Sequence, residues 1–260
     1  MEQARHYICK SCYSQVPGGH KFCGKCGTAT EADSAANEPN FFGDMQTPGK
    51  AKLILIKGEG MDGISYHLNS TEHVAGRVDG PILFTDDKWL SPKHANFLYA
   101  DGQLKVRDEH SINGVFLALR GPIEAWPGAT FMAGEQVFRV ESIPPFSDDP
   151  EPDETYFFAS PRTDSSFRVV QVLEGGGDGM VVCARENAVV IGREASDMNF
   201  PNDPYISGTH VKVELVAGRL MIVDLGSKNG TYIKINGESV LAHGDYIFLG
   251  RQLLRVEITS

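Results

Sequence analysis

Long apolar runs are missing from this sequence. None of eighteen residues or more occurs in its 260 positions, so no segment is built to cross a bilayer as a helix. Basic charge is scarce: 24 Lys and Arg stand against 34 Asp and Glu, a formal net charge of −10. A general nucleic-acid binder needs the opposite balance. The first residues, Met1 to His6, carry no apolar signal core, and the expected location is cytoplasmic. Paired carboxylates at a plausible site, a nucleophile beside a base, and a phosphate loop ending in Gly-Lys-Ser/Thr are all lacking, so the expectation is a non-catalytic protein. What is abundant is punctuation, with 28 Gly and 14 Pro, which favours short strands joined by turns. At 260 residues and 41% hydrophobic, the chain has material for two domains and a small extra piece.

The extra piece is marked by cysteine. Of five cysteines, four lie early, as Cys9, Cys12, Cys23 and Cys26. Two CxxC bends facing each other supply the four-sulfur tetrahedron that Zn²⁺ prefers. Residues 1–30 look like a zinc ribbon holding one structural zinc, with Gly18 and Gly19 at the tip between its arms and with His6 and His20 as bystanders. Disulfides would require export, and a redox CxxC would require a βαβ setting; neither is signalled. A ribbon this small has no core, so the metal is its fold. Its charges, Arg5, Lys10, Lys21 and Lys25 against Glu2, keep a nucleic-acid or protein contact open as an alternative role. The fifth thiol, Cys183, falls in an apolar run and reads as buried and inert.

Residues 31–50 are small and polar and read as a flexible linker. Residues 144–166 open with Pro144 and Pro145, carry mostly acidic charge, and read as a second, extended linker. Its aromatics Tyr156, Phe157 and Phe158 are candidates for docking on a neighbouring domain. The blocks 51–143 and 167–260 repeat each other at a constant offset of 116 residues. Gly76 and Gly192, Arg77 and Arg193, Ser91 and Ser207, His94 and His210, Asn113 and Asn229, and Gly114 and Gly230 all correspond. So do Gly60 and Asp62 with Gly176 and Asp178. A repeat this long is two domains, one per block. In the second block, short runs such as Phe167 to Leu173, Val211 to Val216 and Leu253 to Ile258 are separated by Gly-rich and Asn-Gly turns. That pattern predicts an all-β fold, a β-sandwich in each block. Gly175 to Gly179 is a hairpin turn.

Each block holds Gly-Arg, then Ser-x-x-His, then Ser-x-Asn-Gly, and here the chain resembles tandem forkhead-associated (FHA) domains, over about 51–143 and 168–258. The resemblance implies readers of phosphothreonine, acting as an adaptor between partner proteins that are substrates of a Ser/Thr kinase. It assigns Arg77, Ser91, Lys93, Ser111 and Asn113 to a phosphopeptide site in the first domain, and Arg193, Ser207, Thr209, Lys228 and Asn229 to one in the second. The chemistry suits the role. A phosphate presents about −1.5 to −2 charges and three acceptor oxygens, a guanidinium is a rigid fork of donors, and an Asn amide can both donate to and accept from an extended peptide. Lys93 adds charge to the first site. Thr209 stands where the family usually has a basic residue, and Lys228 is expected to restore the charge. Gly76 and Gly192 read as turn formers. His94 and His210 read as core histidines bonded to loop backbone rather than as catalytic bases.

Overall fold

In the computed structural model the chain forms two compact units, Met1–Asp44 and Met45–Ser260. The structure describes residues 7–9, 11–16, 20, 22–28, 49–57, 63–161 and 164–259. Gly18, Gly19, Gly60, Asp62 and nearly all of the expected linker 31–50 lie outside the described residues. The described residues form strands, turns and coil with no helix, so the chain is all-β as expected.

In the small unit, β1 (Tyr7–Ile8) pairs with β2 (Gln15–Val16). In the large unit the first repeat supplies β3 (Ala51–Lys57), β4 (Ser65–Leu68), β5 (Glu72–Gly76), β6 (Ile82–Leu83) and β7 (Ala95–Ala100). It continues with β8 (Gln103–Asp108), β9 (Val115–Ala118), β10 (Ile123–Ala125), β11 (Thr130–Ala133) and β12 (Gln136–Glu141). The second supplies β13 (Arg168–Val172), β14 (Asp178–Cys183), β15 (Ala188–Gly192), β16 (Met198–Asn199) and β17 (Val211–Val216). It ends with β18 (Arg219–Asp224), β19 (Thr231–Lys234), β20 (Glu238–Val240), β21 (Tyr246–Leu249) and β22 (Gln252–Ile258). β13, β17 and β22 form over the runs named in the second block. In β17, for example, Val211 and Val213 are buried while Lys212 and Glu214 are partly exposed, the period-two signature of a strand with one face on a core.

The strands do not group by sequence block. β3 pairs with β22, not with β12, and β12 pairs with β13. β20 pairs with β8, and β10 with β18. From β10 onward the first repeat therefore completes the second sandwich, and from β20 onward the second repeat completes the first. The two halves meet along one ten-stranded sheet, in the order β14-β13-β12-β11-β19-β9-β21-β22-β3-β4. At its centre β9 and β19 run antiparallel, with Leu117 opposite Ile233. Those two positions are equivalent in the repeat, so a pseudo-twofold relation passes between them.

Each core is accordingly composite. One packs Leu53, Leu68, Phe97 and Val106 against Ile247, Leu249, Leu254 and Val256. The other packs Phe131, Phe138 and Val140 against Phe167, Val169, Ile191 and Ile222. Two five-stranded sheets, β20-β8-β7-β5-β6 and β10-β18-β17-β15-β16, close the sandwiches.

Exchange of equivalent strands keeps the backbone pairing unchanged, so side-chain identity must favour one arrangement. Arg120 grips the nearly buried Asp245 with two of its nitrogens, and Arg107 reaches Glu238 at 3.3 Å. With strands returned to their own repeats, symmetry would set Arg120 opposite Ala129 and Asp245 opposite Asn236. Arg107 would meet Pro122, and Glu238 would meet Val223. A charge-assisted bond to a buried carboxylate contributes about 1.5–3 kcal/mol. The exposed Arg107 pair adds at most about 1 kcal/mol.

Three local expectations change. Cys183 is exposed, because β14 is the outer strand of the long sheet and its side chains have a neighbour on one side only. Phe157 and Phe158 are 91% and 99% exposed, so these linker aromatics do not dock within the chain. Gly76 and Gly192 end strands rather than form turns. A Cβ at either would lie 2.2 or 2.0 Å from the carbonyl oxygen of Pro92 or Gly208. Glycine is required there for close approach of the loop that carries Ser91 or Ser207.

Candidate functional site

The small unit holds two matched turns. Cys9 N–H donates to Ser14 O and Tyr13 N–H to Cys9 O, while Cys23 N–H donates to Thr28 O and Gly27 N–H to Cys23 O. The four thiol sulfurs of Cys9, Cys12, Cys23 and Cys26 all lie within 4.8 Å of one another, with Cys9 to Cys26 at 3.5 Å and Cys12 to Cys23 at 3.6 Å. Four sulfurs at about 2.3 Å from a tetrahedral zinc stand about 3.8 Å apart, so the donor set fits a metal ion. The Thr28 hydroxyl, with the Thr28 backbone, brings the Cys26 thiol down to about 6, which favours the thiolate that a metal requires.

In the large unit the motif residues gather at corresponding rims of the two sandwiches. In the first, Arg77 N–H donates to Ser91 O at 3.0 Å and its Nε to Leu90 O at 3.2 Å. Ser91 Oγ accepts from Ile112 N–H at 3.1 Å, and Asn113 Nδ2 donates to Trp89 O at 2.7 Å. The second repeats the set: Arg193 N–H to Ser207 O at 2.9 Å, Arg193 Nη2 to Ile206 O at 2.6 Å, Lys228 N–H to Ser207 Oγ at 3.0 Å, and Asn229 Nδ2 to Tyr205 O at 2.7 Å. Three separate loops are thus tied into one surface in each half. A serine hydroxyl that accepts from an N–H keeps its own O–H to donate outward. An Asn that has used one amide hydrogen keeps its carbonyl and its second hydrogen.

Ser111 and Ser227 work within the turn. Each donates to a carboxylate, Asp108 at 2.5 Å or Asp224 at 2.7 Å, and accepts from the glycine N–H three residues on. Lys93 is less available than its sequence position implies, because Glu109 pairs with it at 3.0 Å and with Arg107 at 2.8 Å. In the second repeat Leu225 stands in place of Glu109. Lys228 and Thr209 are both exposed there.

Trp89 and Tyr205 were not singled out by motif, nor were the buried Asp87 and Asp203. Their shared offset of 116 was the available signal. Asp87 accepts from the N–H groups of Trp89 and Arg251 and from the Gln252 amide. Asp203 does the same for Tyr205, Glu135 and Gln136. Each clamps the rim to the turn that follows β21 or β11. Gly250 and Gly134 occupy those turns at positive φ, where a Cβ would lie 2.8 or 2.7 Å from a carboxylate oxygen of Asp87 or Asp203.

His94 and His210 hold the rims from beneath, as expected. Nδ1 of His94 accepts from Ser91 N–H at 3.1 Å, and Nε2 faces Gly114 O at 3.0 Å. His210 bonds Ser207 and Gly230 likewise. Nδ1 is an acceptor, so the proton belongs on Nε2. Burial holds both imidazoles below the ordinary value, as it does His73. The unfolded chain therefore binds protons first as pH falls. This contribution to stability is complete above about pH 6.5 and is lost as pH falls through the folded values. Urea midpoints measured from pH 8 to 5 should be flat above about 6.5 and fall below it. A midpoint that held or rose on acidification through this range would contradict the assignment.

Residues 189–250 match the family model of the FHA domain. The chain is all-β, and the match spans Arg193, Ser207, His210 and Asn229. Beyond the family, it is 31% identical over 88 residues to an oxoglutarate dehydrogenase inhibitor of Corynebacterium diphtheriae, a region covering 34% of this chain and 62% of that protein. The chain spans about three fifths of the length of the curated relatives it matches. Among solved structures it is similar to the FHA domain of the CT664 protein of Chlamydia trachomatis, at 12% identity and a TM-score of 0.34, covering 81% of this chain and 99% of that one. It is also similar to a domain from a study of phosphothreonine-dependent FHA interactions, at 29% identity and a TM-score of 0.20, covering 31% of this chain and 85% of that one.

Proposed function

We propose that the chain is a non-catalytic, phospho-dependent adaptor with one phosphothreonine-peptide site on each sandwich. Arg77 with Ser91, and Arg193 with Ser207, take the phosphate, Asn113 and Asn229 align the peptide backbone, and Lys228 adds charge to the second site. The observation that carries this reading is the duplicated set of bonds that holds a guanidinium, a hydroxyl and an amide on one rim in both halves. The FHA match over 189–250 supports it for the second repeat, and the repeat extends it to the first. The partners are phosphothreonine proteins, substrates of a Ser/Thr kinase, and the relatives' name extends the range of partners to a metabolic dehydrogenase. The four-cysteine unit binds one structural Zn²⁺. Two sites on one chain favour a partner phosphorylated twice, since the second contact becomes intramolecular.

Phosphothreonine peptides titrated by fluorescence anisotropy test this. Arg77→Ala and Arg193→Ala should each remove one of two binding equivalents. The double variant should bind on the order of 100-fold more weakly, and unphosphorylated peptide should not bind. A double variant that binds like the wild type refutes the proposal.

A further inference from the structure

The long sheet also fixes where the two rims point. β9 follows directly on Gly114 of the first rim, and β19 follows directly on Gly230 of the second. The two strands pair antiparallel, with Phe116 opposite Lys234 and Ala118 opposite Tyr232. Each strand therefore starts where the other ends. Backbone bonds carry the pairing to both ends: Ile235 N–H donates to Val115 O at 2.9 Å, and Leu119 N–H to Thr231 O at 2.8 Å. The neighbouring turns follow the same rule. The turn after β21, which Asp87 holds, lies beside the start of β9, because Leu249 pairs with Val115. The turn after β11, which Asp203 holds, lies beside the start of β19, because Ala133 pairs with Thr231.

Continued by one step past those bonds, the register sets Gly230 level with Arg120, six residues beyond Gly114. Six residues of strand span about 20 Å. The loops of Arg77, Ser91 and Asn113 are tied together outward of Gly114, and those of Arg193, Ser207 and Asn229 outward of Gly230. The two rims thus open in opposite directions, at least that far apart. The central strands are braced on both sides. Leu117 packs on one core and its partner Ile233 on the other, and the Tyr232 and Phe248 rings meet edge to face at 4.8 Å across β9. Two self-contained sandwiches on a flexible linker could turn their rims to any angle; one continuous sheet allows a single arrangement.

We propose that the chain bridges two separate phosphothreonine segments, one at each rim, and does not clamp two phosphothreonines that are close together in one sequence. The inference rests on the phosphopeptide reading above and adds a spacing rule to it. An extended peptide advances about 3.3 Å per residue, so about six residues would be needed for a straight run between the rims, through the sheet itself. A path around the body is longer. The partners that suit this geometry are two phosphorylated molecules, or one whose phosphothreonines are separated by a long flexible segment.

Three peptides titrated against the full chain make the test. One carries a single phosphothreonine, and one carries two of them about four residues apart. The third carries two joined by about 50 Gly and Ser residues, a spacer with a mean reach of about 40 Å. The closely spaced peptide should bind within about fourfold of the single one, which is the statistical gain of two groups on two sites. The long peptide should bind roughly 30-fold tighter than the single one, and either Arg77→Ala or Arg193→Ala should abolish that gain. A close spacing that gains as much as the long one, or a long spacing that gains nothing, overturns the bridging arrangement. The sites themselves then stand wherever single-peptide binding still requires Arg77 and Arg193. Single-peptide binding that ignores both substitutions removes the sites and the arrangement together.

Discussion

A single cut in the segment between β12 and β13 will leave two fragments that still migrate as one species under native conditions. A protease site placed near residue 155, where the segment is exposed coil, would produce them. If each block were a self-contained sandwich, the cut would release two independent bodies. In the observed pairing, the N-terminal fragment donates Phe131, Phe138 and Val140, with Ala125, Ala129 and Ala133, to a core it shares with the C-terminal one. The C-terminal fragment returns Ile247, Leu249, Leu254 and Val256. Each such side chain is worth about 1.5–3 kcal/mol of burial, so separation requires unfolding rather than undocking. Size-exclusion chromatography of the nicked protein, with and without urea, makes the measurement. Co-elution without urea and separation in it are expected. Two smaller species without urea would show that each block folds on its own strands.

Removing the metal should have a comparably large but local effect. Among the described residues, the small unit has Cys9, Cys23 and Val16 as its buried cluster, with Cys12 packed beside them, and so few apolar groups cannot offset the entropy of ordering the chain. One zinc per chain is expected by elemental analysis, and its binding free energy is the folding free energy of this unit. A strong chelator, or Cys12→Ser, should unfold the two cysteine turns, seen as loss of protection at the amides of Cys9, Tyr13, Cys23 and Gly27 by hydrogen exchange. The thermal transition of 45–260, a separate compact unit, should be unchanged. Metal-free protein with the same exchange pattern would show that the cysteines are not the frame of this unit.

Much of this molecule was legible in one dimension because the signals are local. Strand positions follow from alternation, as in Val211 and Val213. The two cysteine knuckles follow from CxxC spacing, and the paired rims follow from three short motifs repeated at one offset. The backbone role of His94 and His210 was also readable, since a histidine three residues after a loop serine, at the start of an apolar strand, has little else within reach. Other features depend on neighbours distant in sequence. Lys93 meets Glu109, Gly76 meets the Pro92 carbonyl, and Cys183 lies on an outer strand. None of these contacts leaves a mark on the residues beside it in the chain.

By itself the sequence determined the all-β class, the four-sulfur cluster and the composition of each rim, because each depends on residue types at short, fixed spacings. Only the tertiary structure decided which strands complete which sandwich, and so which rim receives Arg251 and which Glu135. The physical reason is the repeat itself. β12 and β22 present equivalent hydrogen-bonding edges and equally apolar faces, so either could close either core, and the choice falls to contacts such as Arg120 with Asp245 that exist only once the chain has folded.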